Sequence, residues 1–257
     1  EYAKAEDEII TLQKAKKGRG VDIVILCDGY NAKEIHDGKL LGDANQTMEH
    51  YFAIEPYLTY RDYFNVYTAV SVSPESGIGS VNTIINNKFN TAAKDGVSLG
   101  PGSTASGEGF DYIMDYAAKA PTVDRNDLGR VLVILVPNTS DYGGICYWWP
   151  GGFSIAYCPK SDYGYPLDWR GVIQHEAGGH GFGKLGDEYI YHNKFVDACS
   201  CVCCGHYFDH EEDGFMNLSL TGKMSEVPWS HLIFHEKYST IVDIFEGGFM
   251  HSRGVFR

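Results

Sequence analysis

No apolar run in this 257-residue sequence approaches the roughly 20 residues needed to cross a bilayer; the longest, Val131–Val136, is strand-sized. Basic residues are scarce: 21 Lys and Arg stand against 34 Asp and Glu, a net charge of −13. Nucleic acid and anionic membranes both need a basic footprint, so neither is an expected partner. No charged stretch followed by an apolar core opens the chain, so any signal peptide is expected to have been removed or never to have existed. The glycines at 77–79 and 100–107 lack the Lys-Ser/Thr partner of a phosphate loop. Ser140, Ser154 and Cys27 lack the His/Asp pattern that nucleophilic catalysis requires. No internal repeat is visible.

The sequence does have 44% hydrophobic and 14% aromatic residues, enough at this length for a folded core and against disorder. Of seven cysteines, four crowd into Cys199, Cys201, Cys203 and Cys204. Without two well-spaced Cys-x-x-Cys pairs, disulfides are favoured over a soft-metal cluster. Adjacent and alternate cysteines bridge each other poorly, which points to partners such as Cys146 or Cys158.

Residues 1–19 read as a polar helix or arm, with cations toward its end. Val21–Cys27 and Gly129–Val136 are short apolar runs typical of strands buried on both faces. Phe64–Val72 alternates as a strand, and Phe153–Tyr157 is a fourth short one. Helices are expected over 39–54, 81–93 and 109–118. This order implies an α/β fold with a mostly parallel sheet. Three parts follow: an arm over 1–20, a core over 21–190, and an irregular, cysteine-containing part over 191–257. Asp28-Gly-Tyr-Asn31 reads as a turn, and Asp209–Asp213 as a solvated acidic loop.

The informative stretch is His175-Glu176-Ala-Gly-Gly-His180, followed by Gly183 and Asp187-Glu188-Tyr189. A helical His-Glu-x-x-His supplies two imidazoles on one face for zinc, with Glu as general base. Here the spacing is one residue longer. Five residues of α-helix turn about 500°, which splays the two side chains by about 140°. His175 and His180 converge only if the helix carries a π-type bulge. Gly178 and Gly179 lower the cost of that distortion; in a regular helix each would cost roughly 1 kcal/mol.

The string Gly179-His180-x-Phe182-x-x-Leu185-x-Asp187-Glu188-Tyr189, with the upstream VDIVILCDGYN and TYRDYFNVY segments, resembles the bacterial IgA-peptidase family of zinc metallopeptidases. The likeness runs from about residue 19 to 257. Members usually carry His-Glu-x-Gly-His; this sequence inserts one residue, as the His-Glu-x-x-x-His dipeptidyl peptidases do. The resemblance implies a metzincin-like catalytic domain, with Gly183 turning the chain toward a third zinc ligand. The metzincin ligand position falls on Gly186, so Asp187 is the first candidate and Glu188 the second, with a downstream carboxylate or His192 beyond them. One coordination position should remain for water. Glu176 would be the base, and Tyr189 either a donor to the oxyanion or a packing residue beside the site. The edge strand for substrate is sought in Gly143–Tyr157, where Trp148 and Trp149 either line the cleft or pack in the loop. The family's Met-containing turn is expected beyond Arg257, Met216 and Met250 being weak substitutes.

The expected function is a secreted, periplasmic or cell-surface Zn2+-dependent endopeptidase acting on protein or glycoprotein substrates. Two rivals are a non-catalytic surface binding protein with structural zinc or a disulfide cluster, and a metallohydrolase of a non-peptide bond. A closed four-ligand metal shell would mark the first, and turnover of glycoconjugates the second.

Overall fold

The structure, a computed structural model, describes residues 6–94, 99–101, 108–149, 151–195 and 215–257, with the backbone alone at 101, 108, 192 and 194. The chain divides into two compact units, Glu1–Phe182 and Gly183–Arg257.

The first unit is built on a six-stranded sheet. Its elements are β1 (Ile9–Gln13), β2 (Val21–Asp28), α1 (Ala32–His36), α2 (Lys39–Tyr51), α3 (Tyr57–Tyr60), β3 (Phe64–Ala69), β4 (Thr91–Ala93), β5 (Leu99–Pro101), α4 (Glu108–Ala117), β6 (Val131–Pro137), β7 (Ile145–Trp148), β8 (Ser154–Tyr157) and α5 (Trp169–Val172), which runs into a π-helix (Ile173–Phe182). Sheet order is β1-β3-β2-β6-β8-β7. The four inner strands are parallel, while β1 and β7 pair antiparallel at the edges.

Strand alternation creates two cores. Ile23, Ile25 and Cys27 of β2, with Leu132, Ile134 and Val136 of β6, bury against α2, α5 and the π-helix. Val24, Leu26, Val131, Val133 and Leu135 point the other way and bury against Ile113, Tyr116 and Ala117 of α4. Layers on both faces explain why β2 and β6 read as continuous apolar runs. The π-helix packs on the first of these faces.

The helix expected over 81–93 is absent, and the N-terminal segment, read as a polar helix or arm, contains among its described residues the strand β1, whose Ile9 and Ile10 pair with Ala69 and Thr68 of β3. Among residues 81–93, Val81 and Ile84 are 70% and 84% exposed, and only Thr91–Ala93 is regular, as β4. Asparagine side chains take the backbone's place there. Asn87 Oδ1 accepts from Thr91 N at 2.8 Å, its Nδ2 donates to Thr91 O at 3.0 Å, and Asn90 holds a left-handed φ of 54°. The turn at Asp28 anchors the same loop. Its carboxylate accepts from the amides of Gly29, Phe89 and Thr91 at 2.9–3.1 Å, while burial pushes its pKa up.

The second unit holds β9 (Ile190–Phe195), α6 (Ser230–Ile233), β10 (Glu246–Gly248) and β11 (Met250–Phe256). Its sheet order is β10-β11-β9, with β11 parallel to β9 and antiparallel to β10. Cys199, Cys201, Cys203, Cys204 and Asp209–Asp213 lie outside the described residues.

Candidate metal centre and active site

Asp168 starts the site helix by accepting a hydrogen bond from Gly171 N at 2.8 Å, a standard N-cap. From Ile173 the ladder widens and stays wide through Phe182. Such i→i+5 bonding usually appears as one bulged turn; here it runs for ten residues. Residues five apart therefore stack. The Nε2 atoms of His175 and His180 face each other at 3.1 Å, with ring centroids 4.6 Å apart. The extra residue in the motif is absorbed along the whole segment rather than at one point.

Neighbouring side chains hold this unusual backbone. Tyr57 donates from its hydroxyl to Gly178 O at 2.6 Å, and Ser154 donates to Gly181 O at 2.8 Å. Burial pushes the Tyr57 pKa up to about 12, so the donor stays protonated. At two of its glycines the segment is approached closely by neighbouring side chains. A Cβ at Gly178 would lie 3.1 Å from the Tyr57 ring, and one at Gly181 would lie 2.7 Å from Leu132 Cδ1. Gly179, by contrast, meets only Gln174 O at 3.8 Å. Tyr57→Phe should leave the Gly178 carbonyl without this donor and cost about 1–3 kcal/mol in urea unfolding. A loss of only a few tenths would show that Tyr57 does not brace the π-helix.

Glu176 is 8% exposed, on the same helix between the two histidines. Its carboxylate rests against Gly144, where a Cβ would stand 2.8 Å from Oε1 and 2.9 Å from Cγ. Gly144 immediately precedes β7, the sheet edge among the described residues. No local pattern marks this glycine, because the close approach arises only across the fold. Below lies Cys158, a free thiol buried at the end of β8. That corrects the expected disulfide at Cys158: the sulfur is free and sits in the same buried core as Ala177. Burial, then the charge of Glu176, pushes its pKa up, which leaves it an unreactive thiol. Trp149 stacks with Phe110 and Phe153 at 5.2 and 5.4 Å, so it packs in an aromatic cluster.

In the second unit, Asp187 sits on a clamped turn. Asn217 Oδ1 accepts from Gly186 N at 2.7 Å, and its Nδ2 donates to Gly186 O at 3.0 Å. A Cβ at Gly186 would fall 2.5 Å from Leu218 Cδ1, so glycine is needed at this packing point. Phe249 N donates to Asp187 O at 2.8 Å, and the Tyr189 hydroxyl donates to Asp187 Oδ2 at 2.8 Å. Glu188 is turned to other work: its Oε1 accepts from Asn217 at 2.9 Å and its Oε2 lies 3.9 Å from Arg257 Nε. Tyr189 is 40% exposed, which excludes core packing for it. Met216 is 57% exposed and cannot floor a metal site. His192 lies in β9, where its backbone alone is described. Asn217, adjacent to Met216, escaped the sequence reading because an amide clamp has no spacing signature.

The candidate ligand atoms of His175, His180 and Asp187 lie within 4.8 Å of one another, a His/Asp group suited to a metal ion. Two nitrogens bound to a tetrahedral zinc at its usual bond length would stand about 3.3 Å apart, close to the separation of the two Nε2 atoms. Two imidazoles and a carboxylate also form a donor set of catalytic zinc sites, with one position left open.

A family model described as IgA Peptidase M64 matches residues 10–198, a span that contains the six-stranded sheet from its second residue onward, the π-helix and Asp187–Tyr189. A search of curated proteins found no match. With well over half of its length matched, including every residue of the His/Asp group, the chain belongs to the IgA peptidase M64 family of peptidases.

Proposed function

We propose that the protein is a zinc-dependent endopeptidase whose metal is held by His175, His180 and Asp187. The observation that carries this reading is the meeting of the two imidazoles across one π-turn, with Asp187 in the same group. A bound zinc would polarise the scissile carbonyl and make water acidic enough to attack near neutral pH. The chain's residues do the rest. Glu176, held against Gly144, takes the proton of the attacking water and delivers it to the departing amine. Tyr189 holds Asp187 through its hydroxyl and so fixes the direction of a carboxylate oxygen. The substrate backbone lies along β7, which begins one residue after the glycine that abuts Glu176. The acidic surface suits work outside the cell, in secreted, periplasmic or cell-surface form, on proteins or glycoproteins met there.

Metal analysis tests the first half of the reading. Purified protein dialysed against zinc at neutral pH should retain one equivalent, and His180→Ala should retain almost none. Chelation should abolish peptide cleavage, and added zinc should restore it. Protein that binds no stoichiometric zinc, or cleaves peptides equally well after chelation, would refute the proposal.

A further inference from the structure

The segment leading into β7 carries an exposed aromatic pair. Two residues before Gly144, against which Glu176 rests, stands Tyr142, and its ring meets that of Tyr163 edge to face at 5.5 Å. Tyr142 and Tyr163 are 37% and 58% exposed, and the loop that carries Tyr163 also leaves Tyr165 and Leu167 57% and 44% exposed. Single exposed rings are ordinary on a protein surface, whereas adjoining ones mark a contact site. We infer that Tyr142 and Tyr163 form a substrate subsite. It takes an apolar side chain on the side of the scissile bond opposite to the residues lying along β7. This inference rests on the proposed peptidase reading and deepens it.

Both tyrosines stand on chain that converges on the first half of the site helix, all within the first compact unit. A Cβ at Gly144 would lie 3.1 Å from Val172 Cγ1 as well as 2.8 Å from Glu176 Oε1, so the start of β7 packs on the helix between these residues. The Tyr163 loop ends at Asp168, the N-cap of the same helix. A general base works within hydrogen-bond reach of the water it activates, which ties the scissile bond to the Gly144 end of β7. A polypeptide does not stop at the bond that is cut. With the residues on one side lying along β7, those on the other leave over 142–144 and the loop packed against it. Two residues of chain span at most about 7 Å, so the tyrosines meet the first or second side chain beyond the cut. The two loops are already joined: Lys160 N donates to Thr139 O at 3.1 Å, Trp169 N to Ser161 O at 3.1 Å, and Ser161 Oγ to Leu167 O at 2.6 Å. A surface held in this way binds with little ordering cost. The Arg170 guanidinium lies over the Tyr165 ring at 4.4 Å, which leaves the Tyr142–Tyr163 pair to the ligand. Tyrosine suits such a post, since its ring packs on apolar groups while its hydroxyl stays wet.

The test is cleavage-site profiling of a synthetic peptide library by zinc-loaded wild type, Tyr142→Ala, Tyr163→Ala and Tyr163→Phe. Products are sequenced by mass spectrometry, and folding is checked by zinc content and thermal melting. Wild type should favour aliphatic or aromatic residues at the first or second position on one side of the cut. Each alanine variant should lower that preference, as a ratio of kcat/KM values against serine at the same position, by about tenfold, and Tyr163→Phe should retain it. Selection on the other side of the cut should not change. A preferred peptide should also bind about tenfold more weakly when Tyr163→Ala is added to Glu176→Gln, a readout independent of turnover. An unchanged profile in both alanine variants would overturn the subsite while leaving the peptidase reading intact. An equal loss of cleavage for every sequence, with no change in preference, would make the pair a support of the site helix and also overturn the subsite. A wild-type dimer that Tyr163→Ala dissociates in light scattering, with an unchanged profile, would assign the pair to a second copy of the chain, again overturning the inference. Wild type that binds zinc but cuts no peptide would remove both readings.

Discussion

Glu176→Gln should lower kcat for peptide cleavage by about 10²–10⁴-fold while leaving bound zinc at one equivalent. The substitution keeps the size of the side chain, so it disturbs neither its packing against Gly144 nor the π-helix around it. It removes only the ability to accept a proton. Gly144→Ala approaches the same residue from outside. The added Cβ would stand 2.8 Å from Oε1 and 2.9 Å from Cγ, closer than packed atoms tolerate, so the carboxylate must leave its berth. Activity should fall here too, with metal retained, although no proton acceptor has been deleted. Paired kcat and metal measurements on the two variants separate chemistry from positioning. Cleavage within twofold of wild type in Glu176→Gln would end the general-base assignment. Loss of zinc in that variant would instead make Glu176 part of the metal's support.

The convergence of His175 and His180 was legible in the sequence because helix geometry leaves few choices. Five residues of α-helix separate the side chains widely, so a zinc pair at that spacing demanded a widened helix, which the structure supplies over Ile173–Phe182. The inner strands were legible for a similar reason: Val21–Asp28 and Val131–Pro137 are apolar on both faces because helices cover both faces. What the sequence concealed depends on contacts between distant segments. Asn217 clamps Gly186 from 31 residues away, and Tyr57 braces Gly178 from 121 residues away. Neither follows from local pattern. The 81–93 segment failed differently. Its apolar spacing resembles a helix, but Asn87 bonds to the backbone of Thr91 more effectively than a helix could use it. The terminal strand β1 was missed because only its pairing with β3 distinguishes it from a polar arm.

The second large effect should separate two adjacent carboxylates that the sequence could not rank decisively. Asp187→Ala should weaken zinc binding far more than Glu188→Ala, and the reason lies in their bonds. Asp187 shares the 4.8 Å group with the two histidines, and its backbone and carboxylate are fixed by Phe249 N and Tyr189. Glu188 spends its oxygens on Asn217 and, at long range, on Arg257. That arrangement is 58% exposed on the glutamate side, so its loss should change stability by no more than about 1 kcal/mol. Tyr189→Phe provides the intermediate case. Removing a hydrogen bond that orients a metal ligand typically costs about 10–100-fold in affinity or activity, and direct loss of the ligand should exceed it. Zinc affinity, measured by competition with a chromophoric chelator, should therefore fall in the order wild type and Glu188→Ala, then Tyr189→Phe, then Asp187→Ala. If Glu188→Ala lost the most, the third ligand would be Glu188, and the Tyr189 hydroxyl would have to serve something other than the metal carboxylate. The same order must appear in kcat, because a ligand that sets zinc's affinity also sets how strongly the metal polarises what it binds.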